Sequence, residues 1–259
     1  MPKIHLLSFA SSRMGSLRRL RREAAAMGCF DSTTLLSASD LGPDYWETCG
    51  DFVRTHPRRG YGFWTWKPYI IYKRLAELPA GEVLLYVDAG CSLNVEGERR
   101  LHDYIQQAIS HPSGWFVFQA VGALGPYTKR SLLKVHNMDQ AEVRQLPMLQ
   151  AGCQFIVASR NNVDFARQWF ESMLDRSLID DSAAKDEYSD FIAHRHDQSV
   201  FSLLAHRRGL GYAKNETEWS PSWGQRLEYP IHTRRWKHYI GWPTEWLRRP
   251  WLGSILRRI

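Results

Sequence analysis

The sequence lacks a Pro/Gly/Ser-rich linker, an internal repeat and a low-complexity tract, so nothing divides its 259 residues into independently folding halves. Its four cysteines, Cys29, Cys49, Cys91 and Cys153, form no Cys-x-x-Cys pair, which excludes a zinc knuckle or a disulfide framework and fits reduced, buried thiols. The N-terminus reaches only a short apolar run before Ser8 and Arg13, neither a secretion signal nor a membrane span. A cytoplasmic protein is therefore expected. With 44% hydrophobic and 24% charged residues, the chain has the composition of one large α/β domain.

Positive charge is in excess, at +7, which favours an anionic partner without choosing between nucleic acid, anionic lipid and a sugar diphosphate. No nucleic-acid-binding motif accompanies it, so nucleic acid is not the expected partner. One basic cluster is Arg18, Arg19, Arg21 and Arg22. The other lies among Trp246, Trp251, Leu252 and Ile255, and this mixture defines an extension, 241–259, beyond a domain at 1–240. It suits the headgroup boundary of an anionic membrane as well as it suits packing on the domain.

Apolar spacing predicts strands at Ile4–Phe9, Thr33–Leu36, Glu82–Val87, Trp115–Gln119 and Gln154–Ala158, and helices at Leu17–Met27, Pro68–Leu78, Leu101–Ile109, Asn162–Leu174 and Gln198–His206. Gly42-Pro43 reads as loop. Such alternation implies an α/β sheet with helices on both faces, and the continuous apolar run before Asp88 suits a strand of a parallel sheet.

Ligands of open α/β sheets bind beyond the carboxyl ends of the strands, which is where Asp88-Ala89-Gly90 falls. The Asp88 carboxylate is a hard oxygen ligand suited to Mg²⁺ or Mn²⁺, and Gly90 permits close approach of phosphates. A plain strand-end turn has the same composition. Arg59 and Lys67 can offset phosphate charge or bind a sugar, or stand in a solvated loop. Tyr61, Phe63, Trp64 and Trp66 can stack on a base or sugar, or pack the core. Asp197 reads as the N-cap of the helix that follows; pointed into a cleft, with Gln198, it could act on an acceptor hydroxyl or a developing sugar cation. His194 and His196 would orient that turn. Asp180 and Asp181 read as a solvated acidic loop.

The stretches Arg58-Arg59-Gly60-Tyr61-Gly62-Phe63-Trp64-Thr65-Trp66-Lys67-Pro68, Leu84-Leu85-Tyr86-Val87-Asp88-Ala89-Gly90-Cys91, Gln150-Ala151-Gly152-Cys153-Gln154 and His194-Arg195-His196-Asp197-Gln198 together resemble a family of bacterial polysaccharide-type glycosyltransferases. The resemblance covers most of residues 1–210. It implies a GT-A fold, a single Rossmann-like mixed sheet flanked by helices, and transfer of a sugar from a nucleotide-diphosphate sugar to a glycan or lipid-linked acceptor; with the basic C-terminal segment, a peripheral place on the cytoplasmic face of the membrane is expected. It places Arg59, Tyr61, Trp66, Lys67, Asp88, Ala89, Gly90, Gly152 and Gln154 at the donor. By the same resemblance Asp88, Gly90 and the late His232 stand at a Mn²⁺ or Mg²⁺ site, with Gly90 where such enzymes carry a second carboxylate. That loss makes the metal weak or dispensable. A sugar-nucleotide-binding scaffold without activity is the alternative function.

Overall fold

The computed structural model of the protein describes residues 2–12, 14–182, 186–217 and 228–233; the C-terminal extension expected at 241–259 lies outside them. Six strands, β1 (Ile4–Phe9), β2 (Ser32–Leu36), β3 (Val83–Val87), β5 (Trp115–Ala123), β6 (Pro147–Val157) and β7 (Gly211–Ala213), form one sheet in the order β2-β1-β3-β6-β5-β7. β1 runs parallel to β2 and β3, β5 runs parallel to β7, and β6 is antiparallel to both its neighbours. The protein is a mixed α/β fold with a central mixed sheet flanked by helices. A short ribbon, β4 (Cys91–Leu93) with β8 (Ile231–Thr233), follows directly on the Asp88 turn.

Alternation along the strands sorts the core into two layers, because successive strand residues point to opposite faces. Leu7, Phe9, Leu84, Tyr86, Val117 and Ile156 join a cluster with buried residues of α2 (Pro43–Thr55), α3 (Trp66–Glu77), α5 (Arg160–Glu171) and α6 (Asp197–Arg208). Ile4, Leu6, Val83, Leu85, Phe116 and Phe155 pack instead with α1 (Met14–Met27) and α4 (Glu98–Ser110). Each fully buried Leu or Phe contributes roughly 1.5–3 kcal/mol.

Several elements differ from the sequence expectation. The strand expected at Gln154–Ala158 begins at Pro147, so Gly152 and Gln154 lie within it; its antiparallel course makes the sheet mixed, as the resemblance implies. Gly42-Pro43 opens a helix, α2, with Gly42 as N-cap and Pro43 at the first position, where a missing N–H costs nothing. Its buried Tyr45, Cys49, Phe52 and Val53 have helical spacing, a signal obscured by the Gly-Pro pair. α3 starts at Trp66, ahead of Pro68, which still falls in the first turn.

Candidate active site

The chain first extends the sheet from β1 to β2 and then returns across β1 to β3, so the direction of winding reverses between β1 and β3. Outside the carboxyl ends of strands at such a switch point lies the ligand crevice of an open α/β sheet. Asp88 is the residue after β3, and its N–H donates to the Gly152 carbonyl at 2.8 Å. Gly152 has a physical reason to be glycine: a Cβ there would stand 2.6 Å from Asp88 Oδ2.

The residues before α3 make an unusual approach. Gly60, Tyr61, Gly62, Phe63 and Trp64 all have positive φ, between 54° and 83°, and form one left-handed turn. Phe63 N–H donates to Arg59 O at 2.8 Å and Trp64 N–H to Gly60 O at 3.0 Å. Left-handed backbone costs roughly 3–6 kcal/mol for Tyr61, Phe63 and Trp64 together. Burial of Phe63 and Trp66 offsets it, with Trp66 stacked on Phe9 at a 4.1 Å centroid distance. Trp64 stacks on His196 at 5.3 Å, and His196 itself holds φ 50°, ψ −120°. The His196 Nδ1–H donates to Ile179 O at 2.6 Å. Two strained segments thus brace each other where α3 and α6 begin, as strained backbone does around ligand sites.

That bracing places Lys67 between two carboxylates. Its Nζ lies 2.7 Å from Asp197 Oδ2 and 3.2 Å from Asp88 Oδ1, with the lysine and Asp197 side chains 4% and 7% exposed and that of Asp88 41%. The Tyr86 hydroxyl donates to Asp88 Oδ1 at 2.6 Å. Burial by itself would lower the Lys67 pKa, but Asp197 and Asp88 outweigh it and the ammonium is stabilised. Burial lifts Asp197 above the usual carboxylate value against the pull of Lys67. Burial, followed by the Asp88 charge, drives the Tyr86 phenol well above its ordinary pKa.

The geometry redistributes the roles expected from sequence. Lys67 is not a loop cation open to solvent but the buried link between Asp88 and Asp197. Asp197 is the first residue inside α6, His196 being the N-cap, so the expected capping role goes to a neighbour that makes no side-chain cap; the Asp197 carboxylate is turned to Lys67. Gln198 beside it is partly exposed. Gln154 is fully buried, accepting from Trp115 Nε1 at 3.1 Å and donating to Ala151 O at 2.8 Å, so it supports the sheet and touches no crevice. Trp66 is likewise core, its indole N–H given to Gly60 O at 2.9 Å. Tyr61 stays partly exposed at the rim. Arg59 pairs bidentately with Asp181, at 2.8 and 2.7 Å, on the exposed side of the loop, while Asp180 accepts from the buried Lys129 at 2.5 Å, so Asp180 is a structural anchor and Asp181 stays solvated. Ala89 is buried and Gly90 exposed.

The residues expected at a metal do not converge. His232 is 1% exposed, pairs with Ser92 across the ribbon, and gives its Nε2–H to Tyr229 O at 2.9 Å. Gly90 brings no side-chain donor, and Asp88 Oδ1 is already held by Tyr86 and Lys67. Among the described residues no group of three His, Cys, Asp or Glu side chains could hold a metal ion. The donor set does not fit a divalent cation.

Arg19 was legible only as part of a basic cluster, yet it ties the Asp88 turn to α1. Its Nη2 donates to Ala89 O at 2.9 Å and Cys91 O at 2.8 Å, its Nη1 to Ser92 Oγ at 3.0 Å and Glu23 Oε2 at 2.9 Å. Glu23 Oε2 in turn accepts the Leu93 N–H at 2.9 Å. The i,i+4 spacing of Arg19 and Glu23 is the one local signal, and it predicts only a helix-surface pair. No helix among the described residues is long and apolar enough to cross a membrane.

Fold and site define a mixed α/β protein with one half-exposed carboxylate, Asp88, beyond the end of β3 at a switch point and backed by a buried Lys67–Asp197 pair. Neither a family model nor a curated protein sequence matches the chain. Among solved structures it is similar to a glycosyltransferase involved in glycosylation of the major capsid of PBCV-1, at 12% identity over all of both chains and a TM-score of 0.49. Mouse xyloside xylosyltransferase 1 matches at 9% identity over 90% of this chain and 97% of that one, with a TM-score of 0.46. The galactosyltransferase LgtC, in complex with donor and acceptor sugar analogs, matches at 14% identity over 98% and 93%, with a TM-score of 0.44. All three TM-scores fall below 0.5.

Proposed function

We propose that this chain is a glycosyltransferase of GT-A type that moves a sugar from a nucleotide-diphosphate sugar to an acceptor hydroxyl. The observation that carries the reading is the half-exposed Asp88 carboxylate, set beyond β3 at the switch point with its Oδ2 facing Gly152, where a Cβ would crowd it. An oxygen so placed accepts hydrogen bonds from sugar hydroxyls, and bidentate or paired hydroxyl contacts of this kind orient a polyol for attack. Lys67 and Tyr86 hold the other oxygen, so the carboxylate is preorganised before the ligand arrives. Asp197, buried against Lys67, is a positioning residue in this scheme. Gln198, one residue further on and partly exposed, is the member of the same turn assigned to contact the substrate. Tyr61 at the rim is assigned to the donor base or sugar. The acceptor is assigned to surface-polysaccharide or lipid-linked glycan, with the basic, Trp-rich 241–259 segment meeting an anionic cytoplasmic membrane face.

A panel of nucleotide sugars tests the reading, first by thermal shift and then by release of nucleoside diphosphate in the presence of glycan acceptors. One nucleotide family should raise Tm in the native protein and not in Asp88→Ala, because ligand binding stabilises the fold by linkage. Binding with no turnover across the acceptor panel would instead favour a sugar-nucleotide-binding scaffold, and a folded protein that binds no member of the panel would overturn both.

A further inference from the structure

Resting on that reading of the crevice, we infer that the donor site works without a divalent metal, Asp88 acting as a hydroxyl acceptor whose charge is already held by the buried Lys67 ammonium. The two oxygens of Asp88 are unlike. Oδ1 receives the Tyr86 hydroxyl at 2.6 Å and lies 3.2 Å from Lys67 Nζ. Oδ2 is the one left open by Gly152.

A dication on Oδ2 would share that carboxylate with an ammonium already in place, and like charges a few ångströms apart repel, the buried Lys67 being the less screened of the two. Lys67 has nowhere to retreat. Asp197 holds it at 2.7 Å from the other side, and its side chain is 4% exposed. Oxygen ligands for Mg²⁺ or Mn²⁺ come in sets, and among the described residues no group of three His, Cys, Asp or Glu side chains surrounds Asp88. Gly90 brings no side-chain oxygen, and His232 is buried with its Nε2–H on Tyr229 O. A neutral hydroxyl donor meets none of this repulsion. It can donate to Oδ2 while Tyr86 and Lys67 hold Oδ1.

Two measurements decide the point, one of which needs no sugar nucleotide. Titration of the protein alone with Mn²⁺, followed by the EPR signal of the free ion, should show no site at Asp88, so that native protein and Asp88→Asn give the same curve. Gly90→Asp restores a second carboxylate at an exposed position outside the positive-φ glycines, and should create a Mn²⁺ site that Asp88→Asn removes. A native site lost in Asp88→Asn would overturn the inference. The second measurement is calorimetry of the nucleotide sugar that gives the largest thermal shift, in EDTA and in Mn²⁺. Its Kd should change by less than about threefold between the two, and Asp88→Asn should weaken binding equally in both; a loss of about tenfold or more in EDTA alone would overturn it. Should no nucleotide sugar bind in either buffer, the glycosyltransferase reading fails, while the Mn²⁺ titration still decides whether Asp88 is a metal ligand.

Discussion

Replacing Lys67 by Met keeps the stem of the side chain and removes the charge that stands between Asp88 and Asp197. At 2.7 Å and an effective dielectric constant of about 20, the attraction between Lys67 and Asp197 is on the order of 6 kcal/mol before desolvation. Taking both groups out of water costs a similar amount, so the intact pair adds little net stability. Breaking it is different. Asp197, with a side chain 7% exposed and an Oδ2 that accepts no other hydrogen bond, would be left as an uncompensated buried charge, at a cost of about 3–5 kcal/mol. Asp88, 41% exposed, can fall back on water and contributes less. Urea unfolding at pH 7 should read that loss directly. Without Lys67 only His196, the smallest of the influences on it, opposes burial, so the folded-state pKa of Asp197 rises further above its unfolded value of about 3.9. The penalty should therefore be small near pH 4 and grow as pH rises, because the unfolded state releases the proton first. Lys67→Met/Asp197→Asn should recover most of the loss, since an amide can be buried without charge. A Lys67→Met cost below about 1 kcal/mol at pH 7, or a cost unchanged by Asp197→Asn, would refute the argument.

Three further outcomes are expected. Gly152→Ala should lower donor affinity about tenfold or more by displacing Asp88 Oδ2, while circular dichroism of the folded protein stays unchanged. Gly62→Ala should destabilise by about 1–2 kcal/mol from its φ of +83°, with Val53 N at 3.0 Å from the new Cβ adding to it, and chemical denaturation measures the sum. His194 has its pKa held well below the ordinary value by burial and then by His196 and Lys129, and its Nδ1 accepts the Lys129 N–H at 3.2 Å. Both states are neutral well above pH 6.5; as pH falls below about 6.5 the unfolded state takes up the proton first, so Tm should drop there, and His194→Asn should flatten the drop.

Much of this protein was legible in its residues. The short apolar runs of β1 and β3 and the helical spacing of α1 and α4 depend on neighbours in sequence, and those local preferences survive into the fold. Asp88 was legible for the same reason, standing at the end of a continuous apolar strand. The direction of β6 was not, because antiparallel pairing with β3 is a property of two strands about 70 residues apart. Sequence alone also supplied the chemical inventory of the crevice: one carboxylate after β3, a glycine two residues on, a lysine beside two tryptophans, and Asp197-Gln198 at a helix start. Tertiary structure decided what those groups are for. The left-handed turn at 60–64 and the strained His196 bring Lys67 and Asp197 together across 130 residues, and Arg19 reaches over from α1 to hold the Asp88 turn. Whether a charge is solvated or buried beside its opposite depends on what the fold brings near it, and that is why Lys67, which the sequence offers as a donor-site cation or a solvated one, is the buried centre of the site.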